Sequence, residues 1–364
     1  KFYVEKINIF GNNITQENVI RNQLKLDEGD PYNEILYNKS INNIKSINFF
    51  KKVESETIDG SNNKSKIINI SVEEKPTGEI SAGAGAGTNG TTVMFGVKEN
   101  NYLGNGMSVD TNVTINTESI KGIFSVYNPN FKNTDKSVFV DVQALETDRL
   151  IDFGYKTNKA GFRLGTNFEY LRYLNLGLST SAYFEKIQTD TSASDRQKKQ
   201  EGNYTDSFFE FDFDYDKRNQ KFQTSDGFRS IYSLKLPFIS DTNTLTNTYN
   251  YQFYSELYEN NITNLSIYLQ SANSISNDNI KLSERLFIPS RKLRGFQIGK
   301  VGPKDGNDFI GGNYLTAFNA QTNIPKIFEN AQNLDAIIFF DAASIWGVDY
   351  DSSLDDGGKL RSTI

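Results

Sequence analysis

Phe209-Glu210-Phe211-Asp212-Phe213-Asp214-Tyr215-Asp216 is the stretch on which the fold turns. Side chains alternate across a strand, so four aromatic rings face one way and four carboxylates the other. A water-soluble sheet needs a second layer over such an aromatic face. In a membrane barrel, lipid covers the rings and water in the lumen solvates the acids. Similar strand-like segments run from Thr91 to Lys98, Ser108 to Asn116, Ser137 to Leu145, Leu176 to Phe184, Asp226 to Leu236, Tyr249 to Leu257 and Leu334 to Asp341. About thirteen candidate strands follow residue 77, mostly about 9 to 14 residues long, which is the length that crosses a bilayer at a tilt. No stretch reaches the run of about 18 apolar residues that a membrane-spanning helix requires.

Composition narrows the chemistry. The 364 residues include 27 Phe and 19 Tyr but no Cys and no His. Thiol catalysis, imidazole catalysis and the usual zinc sites therefore lack their ligands. The net charge is −6 and the basic residues form no dense block, so nucleic acid is not expected as a partner. No catalytic residue, metal or cofactor is assigned, and the chain reads as non-enzymatic. Lys1-Phe2-Tyr3-Val4 leads directly into a strand rather than a signal peptide, which suggests a mature fragment.

Residues 1–76 follow another pattern. Phe2 to Phe10 suggest a strand, and Thr15 an N-cap before Val19, Ile20 and Leu24. Asp30-Pro31 opens a second helix with Ile35, Leu36, Ile44 and Ile47 at helical spacing, and strands at Val53 to Ile58 and Lys66 to Val72 follow. The order β-α-α-β-β predicts a three-stranded sheet under two helices. Pro76 in the polar turn Glu73 to Gly78 sets the boundary, leaving residues 77–364 to the barrel.

Two motifs are decoys. Asp212, Asp214 and Asp216 imitate a calcium loop, but Lys217 stands where glycine is needed and Gln223 where a bidentate Glu is needed. Gly85, Gly87 and Gly90 match a dinucleotide fingerprint, yet Thr91 to Phe95 continue as a strand instead of opening a helix. The Gly/Ala alternation around them, in Glu79, Ile80, Ser81, Ala82, Gly83, Ala84, Gly85, Ala86, Gly87 and Thr88, describes a strand with little side-chain packing, weakly held and easily bent.

Leu293-Arg294-Gly295-Phe296 lies in a connection of roughly 25 residues, far longer than two antiparallel strands need, and such connections tend to be functional. A guanidinium in a confined polar lumen calls for carboxylates, which its planar fork can grip bidentately. Gly295 permits a backbone turn that other residues resist, and Phe296 is expected to pack the loop against the wall.

These residues resemble one family, the BamA-type outer-membrane protein assembly factors, in which POTRA modules precede a sixteen-stranded barrel. The motifs fall in the family's order: Asn101-Tyr102-Leu103-Gly104-Asn105-Gly106, Asn128-Pro129-Asn130-Phe131, Asp216-Lys217-Arg218-Asn219 with Asp226-Gly227, Arg294-Gly295-Phe296, Gly311-Gly312-Asn313, and Asp341 with Trp346. The resemblance implies a POTRA module in the periplasm and a barrel in the outer membrane of a Gram-negative bacterium. It also implies unfolded outer-membrane protein clients, accessory lipoproteins of an assembly complex and a bilayer as partners. Arg294 would fold into the lumen to meet Asp341. The family's second acidic partner appears here as Gln321, for which Asp212 or Asp214 could compensate. The strand from Glu79 to Thr88 would be the lateral seam, and the last strands of the sixteen would be missing, leaving about thirteen complete. A POTRA-containing secretion transporter, a diffusion porin and a soluble β-rich binding protein stand as alternatives.

Overall fold

Strand period and aromatic content give the larger part of the chain a single meander. The computed structural model describes all residues except 88–89, 222, 259–260, 277, 325–335 and 356–357. Fourteen strands form one sheet in simple up-and-down order. They are β4 (Gly78–Gly87), β5 (Gly90–Tyr102), β6 (Met107–Asn116), β7 (Ser119–Asn128), β8 (Ser137–Arg149), β9 (Tyr155–Leu171), β10 (Leu174–Thr189), β11 (Gly202–Asp216), β12 (Gly227–Ser240), β13 (Thr244–Tyr258), β14 (Asn261–Ser274), β17 (Tyr314–Ile324), β18 (Ala336–Trp346) and β19 (Arg361–Thr363). A two-residue hairpin, β15 (Lys304–Asp305) with β16 (Asp308–Phe309), interrupts the meander between β14 and β17. Leu334 of the expected Leu334 to Asp341 strand lies outside the described residues, as does Thr88 of the expected seam.

The chain packs as two compact units. The first comprises Lys1–Gly83, Met94–Val113 and Ile123–Asp141. At its start, β1 (Tyr3–Phe10), β2 (Phe50–Asp59) and β3 (Ser65–Glu74) form a sheet of order β1-β3-β2 beside α1 (Glu17–Arg21) and α2 (Glu34–Ser46). Val4, Ile7, Ile20, Ile44 and Ile70 make its core.

Three local expectations need correction here. Thr15 is not the cap of α1: Gln16 takes that position without a side-chain bond. Thr15 is buried, and its hydroxyl accepts from Asn101 Nδ2 at 2.9 Å. Nor does Asp30-Pro31 open α2, because Pro31 bridges Tyr3 and Asn33 is the cap, accepting from Ile35 N at 2.9 Å. The helix therefore starts later and its buried face turns, so Ile41 and Ile44 face the core while Ile35 is 78% exposed.

The second unit comprises Ala84–Val93, Thr114–Gly122 and Val142–Ile364. Its sheet has two unlike faces. On β11 the rings of Phe209 and Phe213 are exposed. The carboxylates point the other way: Glu210 pairs with Arg163 at 3.0 Å, Asp214 with Arg229 at 2.7 Å and Asp216 with Arg218 at 2.8 Å. We call these the bare face and the covered face. The described residues of the connection 278–313 pack on the covered face, where Ile280, Leu286, Ile288 and Leu293 join Leu315, Ala317, Ala343 and Ile345 in one apolar cluster.

Candidate functional site

Register builds the site before the loop arrives. Asn319 on β17 stands directly across from Asp341 on β18, and Gln321 across from Phe339. Residues two apart share a face, so these four side chains form one polar-aromatic square on the covered face. Asp341 is fully buried within it, and Asn319 Nδ2 donates to its Oδ1 at 2.9 Å. A buried carboxylate needs more than one neutral donor to offset its desolvation.

Arg294 supplies the rest. Its Nε and Nη2 donate to Asp341 Oδ2 and Oδ1, both at 2.7 Å, and its backbone N donates to Oδ2 at 3.0 Å. Nη1 donates to Gln321 Oε1 at 3.2 Å, and the guanidinium lies 3.7 Å above the Phe339 ring. The pairing is bidentate, and the ring face adds a cation–π attraction. Asn319 Nδ2 also donates to the carbonyl of Lys292 at 2.9 Å, so the loop backbone is pinned beside the charge. Gly295 turns the chain at φ +82°, and a Cβ there would come within 3.3 Å of Thr363 Oγ1 on β19.

Phe296 does not pack the loop against the wall: it is 37% exposed. Leu293 fills that role, fully buried in the apolar cluster, because the turn at Gly295 aims the following side chain away from the sheet. Asp212 and Asp214 do not reach Arg294 either. Five strand steps separate β11 from β18, which is about 24 Å along a sheet. Asp212 accepts from Ser233, and Asp214 takes Arg229 from the neighbouring strand.

The sequence reading missed a second cation on the same loop. Lys281 is 1% exposed, with Nζ 2.8 Å from Glu185 on β10, bonded to Asp206 on β11, and 4.0 Å from Glu284. Burial works against its charge, but the carboxylates of Glu284, Glu185 and Asp206 outweigh it and hold the ammonium above its ordinary range. Arg285 follows, paired with Asp349, and its Nη1 donates to Asn313 Oδ1 at 3.1 Å. The one available signal was a lysine between two core residues, Ile280 and Leu282. Gly312 closes the base of the loop by pairing both ways with Leu286; a Cβ there would lie 2.6 Å from the Trp346 carbonyl oxygen.

The expected seam residues lie on β4, at one end of the sheet order. Among the described ones, Glu79 accepts from Asn100 Nδ2 at 2.8 Å, the Ser81 hydroxyl donates to the Gly96 carbonyl at 3.5 Å, Gly83 faces Met94, and Ile80 is 79% exposed. In the first unit the Asn101 to Gly106 turn is held more firmly. Asn101 Oδ1 accepts from Gly106 N at 2.8 Å, and Gln16 N donates to the Gly104 carbonyl at 2.9 Å.

Known proteins match the chain in sequence and in fold. The Omp85 superfamily domain matches residues 101–362. The chain belongs to the Omp85 superfamily. The POTRA family, described as a surface antigen variable number repeat, matches residues 2–75. As an Omp85 barrel the chain is a protein of the bacterial outer membrane, with its POTRA module on the periplasmic side. The outer membrane protein assembly factor BamA of Neorickettsia risticii is 26% identical over 100% of this chain and 50% of its own length. That of Neisseria meningitidis serogroup B is 27% identical over 49% of this chain and 23% of its own length. The crystal structure of BamA from Haemophilus ducreyi lacking POTRA domains 1–3 has a TM-score of 0.85 at 21% identity, covering 99% of this chain and 77% of that one. CdiB from Acinetobacter baumannii reaches 0.56 at 9% identity over 99% of this chain and 66% of its own. The Omp85 chain described here spans about half the length of the first of these relatives, and it is BamA-like in sequence and in fold.

Proposed function

We propose that this chain is the membrane-proximal part of a non-enzymatic assembly factor that folds nascent outer-membrane proteins and inserts them into the outer membrane. The observation that carries this reading is the seating of Arg294 on Asp341 and Gln321, which fixes a long loop to one wall instead of leaving an open pore. A diffusion porin has no use for such a loop or for the POTRA module. The secretion transporter is the weaker alternative, since the curated relatives that the chain matches are named as assembly factors.

The mechanism begins at β4. Glu79 to Gly87 offer backbone donors and acceptors with almost no side-chain packing to hold a fixed partner, so an incoming client strand adds there by β-augmentation. Ala82, Gly83, Ala84, Gly85 and Ala86 make that edge easy to bend and cheap to release. The Arg294 loop keeps β17 and β18 rigid while the seam moves. The POTRA module receives the extended client, and accessory lipoproteins of the assembly complex are its expected partners. Because no nucleotide is consumed, the driving free energy is that of the client's own folding.

The test is reconstitution of the full-length protein in liposomes, with an unfolded barrel client followed by heat-modifiable gel mobility. Faster client folding than in empty liposomes is expected, and equal rates would remove the insertase reading. Steady single-channel conductance without any such acceleration would favour a porin.

A further inference from the structure

Arg149 holds a guanidinium that the fold leaves unused. Strands run up and down in sequence order after the POTRA module, so the β6–β7 turn, the end of β8 and the connection between β14 and β17 all lie at the outer end of the meander. Together they line a cavity of about 520 Å³. Arg149 closes β8 there, and among the described residues its guanidinium makes no well-formed hydrogen bond; its Nε is buried with no partner. The carboxylate within 4 Å is Glu118, whose Oε2 stands 3.8 Å away and whose side chain is 51% exposed. The buried Tyr155 hydroxyl beside it donates instead to the Leu282 carbonyl at 3.5 Å. A guanidinium presents five donors in a planar fork that suits phosphate, so donors left unspent beside a cavity call for an oxyanion.

The rest of the wall is built to match. Phe153 and Phe287 stand 5.0 and 5.9 Å from the guanidinium, and Gly299, at φ +72°, presses bare backbone onto Phe153, where a Cβ would lie 2.3 Å from Cζ. That contact brings Gln297 and Lys300 of the loop to the same cavity as Arg149. Ser119 and Thr147 add hydroxyls. Asn116 spends its Oδ1 on the backbone N–H groups of Glu118 and Ser119, at 2.9 and 2.6 Å, and keeps its NH2 for a ligand. For scale, a cavity of about 150 Å³ takes a benzene ring, so this one has room for a sugar ring and its phosphate.

We propose that this cavity binds a sugar phosphate at the outer face of the membrane, with the phosphate on Arg149 and Lys300 and the sugar hydroxyls on Ser119, Thr147, Asn116 and Gln297. Two cations and several neutral donors exceed what a lone carboxylate uses, and they suit a phosphate beside a polyol. Glu118 opposes the anion, but its exposed side chain has water to turn into as the phosphate enters. The same chemistry is offered by a dissolved sugar phosphate and by the phosphorylated sugar of an outer-leaflet glycolipid.

The full-length protein in phosphatidylcholine nanodiscs is titrated calorimetrically with glucose 1-phosphate, and with inorganic phosphate and glucose as partial probes. Glucose 1-phosphate is expected to bind at least about tenfold tighter than either part, and Arg149→Gln to weaken it by at least about tenfold. Lys300→Gln should weaken it about threefold and Glu118→Gln tighten it about threefold. Heat-modifiable mobility shows that each variant is folded, and either cation variant suffices. Nanodiscs containing lipid A separate the sources: loss of the titratable site there assigns it to a glycolipid, and unchanged binding assigns it to a dissolved ligand. No binding of glucose 1-phosphate without lipid A would overturn the site, as would equal affinities in wild type, Arg149→Gln and Lys300→Gln. Inorganic phosphate binding as tightly as glucose 1-phosphate would overturn the sugar and leave an ion site. Client assembly is measured separately, and its failure would leave this site standing.

Discussion

Lys281 and Arg294 are cations of one loop, held in opposite ways. Lys281 is sealed, its point charge shared among carboxylates from two strands and its own turn. Arg294 keeps 27% of its side chain exposed and spreads its fork over one carboxylate, one amide and one ring. Water can enter the second arrangement and compete for it, whereas the first is almost wholly shielded from solvent. The difference points to a loop with a fixed base and a releasable tip, since ammonium and guanidinium differ in hydration and in how their geometry is satisfied.

Removing the fixed charge should do the most damage. Lys281→Met strands Glu185 and Asp206 in a dry site and is expected to cost about 3–5 kcal/mol, read as a lower urea midpoint of the reconstituted barrel. If Lys281→Met cost less than Arg294→Ala, the assignment of base and tip would be reversed. Arg294→Ala leaves the buried Asp341 with Asn319 and one backbone donor, for an expected loss of about 2–3 kcal/mol and slower client assembly. Arg291→Ala, whose side chain takes part in no such pairing among the described residues, should stay within about 0.5 kcal/mol of wild type.

Sharpening the tip is a smaller effect. Gln321→Glu gives Arg294 a second carboxylate and should raise the midpoint by about 0.5–1 kcal/mol at low salt, less at high salt. A drop instead would mean that desolvating the new charge outweighs the pairing.

The two ends also part in their response to pH. The folded-state value of Lys281 lies above its ordinary 10.5, so its contribution is complete below that pH and declines only as pH rises further through the folded value. Glu74 in the POTRA module is the acidic counterpart and the weakest of these anchors. Burial raises its carboxyl, but the Thr15, Ile14 and Asn13 donors outweigh it, leaving it below its ordinary 4.5. Its contribution is present above pH 4.5 and is lost as pH falls through the lower folded value. Amide exchange of residues 13–15 should quicken there first, and should be quick at neutral pH in Glu74→Gln. Unchanged protection in that variant would show that the turn does not depend on the carboxylate.

Much of the fold was legible because its periods are short. Phe209 to Asp216 announced two unlike faces through a repeat of two, and the β-α-α-β-β order of the POTRA module followed from apolar spacing and turn residues. The Leu293 to Phe296 motif marked the loop, but the role of each letter was harder to read. Leu293, not Phe296, packs, since which neighbour faces the wall depends on the turn at Gly295. The start of α2 slipped because Pro31 is drawn into a bridge with Tyr3, a contact that no local pattern reveals.

By itself the sequence determined the alternating sheet, the small α+β module before it and the loop that bears Arg294, because backbone sterics and burial act over a few residues. The tertiary structure alone decided which charges meet. Asp212 and Asp214 are as acidic as Asp341, but five strand steps set them apart from Arg294, and strand order is a property of the whole sheet. Lys281 reaches Glu185 and Asp206 across some 75 to 96 residues of chain for the same reason: burial makes such a charge tolerable only where folding has already placed its partners.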